Sequence, residues 1–245
     1  MVDNNRGIME VLKEMMNFSL LSNPLFLLIG ISNAFGMIGF YTPFVYLPSM
    51  AATFVSCHLL NIYSTLDQDD ISVEDAAFLV SIIGISNTVG RVISGWISDF
   101  SWVNSLVVTN TAIILSAITV FLFPFCTSYA SLTVMALLFG LFVAAYISLT
   151  SIILVDLLGL DNLTSAFGLL TLFRGFSSMI GPPINGKYQT MEESNEIRFP
   201  GWIFEATRDY NICFSVSGGF LLLAGLISCG VDVLKRRQTS KLRVN

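Results

Sequence analysis

The sequence predicts an all-α membrane protein, a six-transmembrane-helix bundle. Of its 245 residues 54% are hydrophobic and 12% charged, the latter about half the share of a soluble domain. Mean hydropathy is +0.74, more apolar surface than a soluble chain of 26.9 kDa can bury. Length supplies the third observation. Six stretches reach the roughly 20 mostly apolar residues that one bilayer crossing needs. They lie at 24–47, 76–98, 103–125, 131–155, 163–184 and 211–233. They are too long for membrane strands and lack the period-2 alternation of a β-barrel.

The chain therefore divides into a cytoplasmic amphipathic lead (1–23), the bundle (24–233) and a basic cytoplasmic tail (234–245). In the lead, residues 8–22 place Ile8, Val11, Leu12 and Met15 on one helical face, with Glu10, Lys13 and Glu14 elsewhere. That pattern suits a short helix lying on the membrane surface, or one packed on the end of the bundle. The first span is no signal peptide, because a polar lead precedes it and five more spans follow. Small residues line the second span (Gly84, Gly90, Gly95), the fourth (Gly140, Ala144, Ala145) and the sixth (Gly218, Gly219, Gly225). They predict close helix packing, with which a substrate path along the same seams is compatible. The fifth span closes at Gly181-Pro182-Pro183, since proline cannot continue the hydrogen-bond ladder.

Six crossings put both termini on one side, and the distribution of Lys and Arg says which. The termini carry Arg6, Lys13, Lys235, Arg236, Arg237, Lys241 and Arg243, whereas the opposite loops carry Lys187, Arg198 and Arg208. Both termini are expected in the cytoplasm. The outer loops 48–75 and 185–210 hold most of the acids, among them Asp67, Asp69, Asp70, Glu192, Glu193 and Glu196. The glycosylation triplets at Asn17 and Asn162 fall on the cytoplasmic side.

The two remaining basic residues, Arg91 and Arg174, lie within spans. Charge inside a bilayer is costly, so such residues usually face a bundle interior or a water-filled cavity. Arginine is a planar, permanently charged fork that matches a carboxylate. A carrier of small organic anions would place one there. Two plainer readings compete: Arg91 could snorkel to the interface, and Arg174 could pair with an acid from elsewhere. Asn87 sits four residues before Arg91 on the same face, able to hold the guanidinium but not to titrate. No Asp or Glu lies in the core of any span; Asp99 and Asp156 stand at span ends.

These features exclude several function classes. A net charge of −5 argues against a nucleic-acid partner, which requires a basic face. The single histidine, His58, and the scattered Cys57, Cys126, Cys213 and Cys229 form no metal-ligand spacing. No nucleophile–base set is evident, so the chain is not expected to be an enzyme or to hold a cofactor.

The run GISNTVGRVISGWISDF (84–100) names a family. Gly95 and Asp99, in the order G-x-x-S-D at the end of a span, resemble the cytoplasmic-loop signature of the major facilitator superfamily. EDAAFLVSIIGISNTVGR is similar to the eighth helix of the monocarboxylate transporters, and FSLLSNPLFLLIGISNAFGMIGFYTPFVYLP (18–48) to the seventh. SAFGLLTLFRG with GPP, and GWIFEAT with SGGFLLLAGLI, resemble helices eleven and twelve.

The resemblance implies a fold of twelve helices in two halves with substrate between them, of which this chain would be the C-terminal half. It implies transport of monocarboxylates or related small organic anions at the plasma membrane. The expected partners are the lipid bilayer, the missing N-terminal half and a single-span accessory protein. Arg91 would meet the substrate carboxylate, Asn87 would orient it and Arg174 would add positive potential. Proton-symporting members carry an Asp where Asn87 stands, which bears on coupling. Val143 matches a helix-ten position that is a bulky Phe in short-chain carriers and would leave room for a larger substrate. Two segments, 53–70 and 187–201, interrupt the matched motifs, either as lineage-specific loops or as unspliced sequence. A carrier of an amino acid, an amine or a steroid-like acid is the first alternative. A truncated, non-transporting isoform is the second.

Overall fold

Six long helices take up the six apolar stretches in a computed structural model that describes residues 18–62, 73–100, 102–126, 128–185 and 210–244. A short 3-10 turn, Phe18–Ser22, leads into the first of them. Asn23 then starts α1 (Pro24–Ile62) by accepting a hydrogen bond from the Leu25 N–H at 3.0 Å. Pro24 occupies the first helical position, where its missing N–H is no loss. α2 spans Val73–Ser98, and α3, Ser105–Leu122, starts on the Asn104 side chain. α4 (Tyr129–Leu158) opens on a Ser128–Ser131 capping box and closes at Gly159, whose φ of 79° favours glycine. α5 spans Leu163–Asn185 and α6 Tyr210–Val244. Within these, six segments are long and apolar enough to cross a membrane.

Helices run past the apolar stretches at several ends, among them that of α5, which continues through Pro182-Pro183 to Asn185 instead of stopping there. The predicted outer loop 48–75 is helical as far as Ile62, so α1 is about 58 Å long at 1.5 Å per residue. The predicted basic tail 234–245 is likewise the continuation of α6 as far as Val244. Gln, Lys and Arg are good helix formers, and cations favour a helix C-terminus. Most of the amphipathic lead, and segment 187–201, lie outside the described residues.

Packing follows side-chain size. α2 lies on α4, α6 on α1 and α3, α3 on α4, and α5 on α1. The α2–α4 seam is tightest where Gly90 meets Ala144 and Leu141, and where Gly140 meets Ser86 and Ile83. Gly84, Gly95 and Gly219, expected in helix seams, instead face open space.

The interior holds two apolar clusters. One contains Leu47, Ile83, Phe123, Phe139, Val143 and Phe214; the other contains Phe26, Leu106, Leu154, Leu170 and Val231. Along α1, α3, α4 and α6 a buried polar step separates them, at Ser32–Asn33, Thr109–Asn110, Thr150 and Ser228. Without water in the bilayer core such groups need internal partners, and all but Thr109, whose hydroxyl has no partner among the described residues, have one. Ser32 donates to the Ala224 carbonyl at 2.8 Å, and Ser228 donates to Asn110.

Candidate functional site

The two arginines embedded in spans stand on the two helices that the bundle covers least. In the spans of α2 and α5, 28% and 22% of residues are buried, against 44–56% in the other four. Both helices leave large apolar side chains open, among them Ile85, Val92 and Trp96 on α2 and Leu172, Phe176 and Met179 on α5. An apolar cleft of 650 Å³ runs along α5, lined by Leu172, Phe176 and Met179 and by Leu21 and Ala34.

Arg91 is exposed on α2. Its Nε donates to Asn87 Oδ1 at 3.0 Å. Asn87 Nδ2 in turn donates to the Gly140 carbonyl on α4 at 3.3 Å. Those two bonds settle which way the amide faces and hold the Arg91 Nε one turn back along its own helix. Arg91 makes no bond to a carboxylate among the described residues.

Arg174 is half-buried where α5, α1 and α4 meet. Its Nε and Nη2 both donate to Asn33 Oδ1, at 2.9 and 2.7 Å, and Nη2 also donates to Thr150 Oγ1 at 2.9 Å. Asn33 is oriented by its own bond to the Ile29 carbonyl, and Thr150 by a bond to that of Tyr146. The acid that a structural pair would require is absent among the described residues; neutral oxygens hold this cation. Nη1, with two N–H groups, takes no part in these bonds. One turn before Thr150 on α4 stands Tyr146. Its hydroxyl is buried without a hydrogen-bond partner among the described residues and lies against Gly36.

Arg91 and Asn87 thus form one polar grouping at the α2–α4 seam, and Arg174 another where α1, α4 and α5 meet. The second adds Asn33 and Thr150, with Tyr146 one turn away, none of which was singled out in the sequence. The available signal was weak: Asn33 is an amide within an otherwise apolar run. Val143 joins neither. It is 1% exposed inside the apolar core, where its size matters to packing and it presents no surface beside Arg91. Gly95 and Asp99 lie at the open end of α2, where Asp99 begins a turn closed by its N–H on the Trp96 carbonyl. No group of three or more His, Cys, Asp or Glu among the described residues could hold a metal. The chemistry on offer is two guanidinium groups, on α2 and α5, with no acidic partner among the described residues.

A family model described as Major Facilitator Superfamily matches residues 4–182. The chain is 29% identical over 212 residues to human monocarboxylate transporter 14, covering 85% of this chain and 35% of that protein. It is 30% identical over 157 residues to mouse monocarboxylate transporter 9, covering 62% and 28%. It is 26% identical over 221 residues to monocarboxylate transporter 12 of Xenopus laevis, covering 89% and 42%. The chain spans about a third of the length of these curated relatives.

Proposed function

This chain belongs to the major facilitator superfamily, in its monocarboxylate transporter family, and on that premise we propose that it forms the C-terminal half of a carrier for monocarboxylates or related small organic anions. One observation carries the reading. Two arginines without acidic partners among the described residues stand on the two least covered helices, beside a layer of buried polar side chains. Carriers of this architecture hold substrate near the midplane, between repeats. The N-terminal half would cover the open faces of α2 and α5. Substrate carboxylate would sit between Arg91 and the free edge of Arg174, and the halves would rock around it. The reading places the carrier in the plasma membrane with both termini cytoplasmic.

Radiolabelled uptake by the full-length carrier tests this. Arg91→Lys keeps the charge but loses the fork that Asn87 aims. Losing one charge-assisted hydrogen bond, worth about 1.5–3 kcal/mol, predicts uptake lower by roughly 10- to 100-fold. Unchanged uptake of every monocarboxylate tried would overturn the reading.

A second reading, a carrier of another substrate class, is favoured by Asn87, which cannot exchange a proton. Competition among amino acids, amines and steroid-like acids separates the two. The same residue gives a pH prediction. In Asn87→Asp, the introduced carboxylate would pair with Arg91 when ionised and compete with substrate. The window from about pH 7.5 to about 5.5 lies well above the ordinary Asp value of about 3.9, and pairing with Arg91 favours the charged form, so the carboxylate stays ionised throughout. Uptake by the variant should therefore fall well below that of the native protein and stay low across this range. Native-level uptake by the variant anywhere in the range would refute this.

A further inference from the structure

Beyond its last interior contacts, α6 does not stop at the end of its apolar stretch. Val231 is the last residue of α6 in the buried core. The helix then carries Lys235, Arg236, Arg237, Lys241 and Arg243 before ending at Val244. Ten residues of helix rise about 15 Å. This brings the cations from the edge of the apolar span to roughly a Debye length outside it.

Their placement around the axis is informative. Arg237 and Lys241 share one face at i, i+4, and Arg236 and Arg243 share another at i, i+7. Arg236 and Arg237 are exposed, as is Ser240 between the two basic pairs. Arg236 reaches back to Asp232 at 2.9 Å. Arg237 has no ion-pair partner among the described residues. A soluble partner docking from one side would use one face of this helix. Lipid headgroups surround an emerging transmembrane helix at this height on every side that the bundle leaves free.

We propose that the emerging turns of α6, residues 235–243, form a binding site for anionic phospholipid headgroups of the cytoplasmic leaflet. Clusters of four to eight Lys and Arg directly cytoplasmic of a transmembrane helix attract such lipids. The proposal rests on the cytoplasmic reading of the C-terminus, which a tag after Asn245 checks by its accessibility in sealed, inside-out vesicles. A tag reachable only from the opposite face would remove the anionic leaflet and overturn the site, whatever its chemistry.

The lipid chemistry is tested separately. The whole chain, extracted with mild detergent, is incubated with mixed micelles holding equal phosphatidylserine and phosphatidylcholine, and retained lipid is weighed by mass spectrometry. Phosphatidylserine should be retained several-fold over phosphatidylcholine, and the preference should vanish near 1 M salt. Arg236→Gln with Arg237→Gln should lower it at least about threefold, while Lys187→Gln with Arg198→Gln, the same loss of charge in the segment 185–210, leaves it unchanged. Soluble glycerophosphoserine at the same headgroup concentration should not compete, which separates a bilayer lipid from a free phosphate. Equal retention of the two lipids, an equal loss in the Lys187 and Arg198 variant, or full competition by the soluble headgroup would each overturn the proposal.

Discussion

Gly140→Val will loosen the α2–α4 seam and leave a protein that melts early or fails to accumulate. A Cβ at Gly140 overlaps the Ser86 hydroxyl and lies 2.7 Å from the Ile83 carbonyl. The hydroxyl could rotate away, but the carbonyl belongs to α2 and can retreat only if the helix moves. Overpacking of this kind costs about 1–3 kcal/mol, and a backbone contact puts it at the upper end. The seam also carries the bond from Asn87 to the Gly140 carbonyl, so Arg91 loses its orientation together with the packing. Gly84→Val is the control, because nothing lies within 4 Å of its would-be Cβ. Melting of detergent-extracted protein should separate the two variants by several degrees. Equal melting temperatures would mean that the seam is not close-packed.

Asn33 offers the second large effect, with the two substitutions pulling apart stability and function. Asn33→Leu removes the oxygen that takes both Nε and Nη2 of Arg174. Two bonds to a charged donor disappear, and the cation stays half-buried. A loss of about 3 kcal/mol is expected. Asn33→Asp keeps the geometry and adds a counter-charge, so the bundle should fold at least as well as the native one. Its anion uptake should nevertheless drop, because the positive potential near Arg91 is then partly cancelled. If the Asp variant transports normally, Arg174 is a tether among α1, α4 and α5 rather than part of an anion path.

The six spans were legible because hydropathy over 20 residues is a strong signal and the bilayer sets its length. Helix ends were less legible. Hydropathy marks where lipid stops, whereas a helix can continue beyond it, as α6 does through KRRQTSKLR and α5 through Pro182-Pro183. Hence the apolar spans 24–47 and 211–233 stop short of the ends of α1 and α6. In the candidate site, Arg91, Asn87 and Arg174 stood out because a guanidinium in an apolar run is conspicuous, as is an amide one turn away. Asn33, Thr150 and Tyr146 are single polar residues whose importance depends on α1 and α4 both adjoining α5. Periodicity along one helix carries no information about which helices are neighbours. For the same reason, the sequence does not show that Val143 lies in the core or that Gly84, Gly95 and Gly219 meet open space.

The three-helix setting of Arg174 also bears on how the chain enters the membrane. The span of α5 has a mean hydropathy of 1.3, the lowest of the six, and an arginine at its centre adds about 2.5–3.5 kcal/mol to the free energy of insertion. Synthesis runs from α1 to α6, so Asn33 and Thr150 leave the ribosome before Arg174 does. Their oxygens can receive the guanidinium as it arrives. Weakening either partner should then reduce the share of newly made chains whose fifth helix crosses, a defect visible as inverted topology of the segment after it.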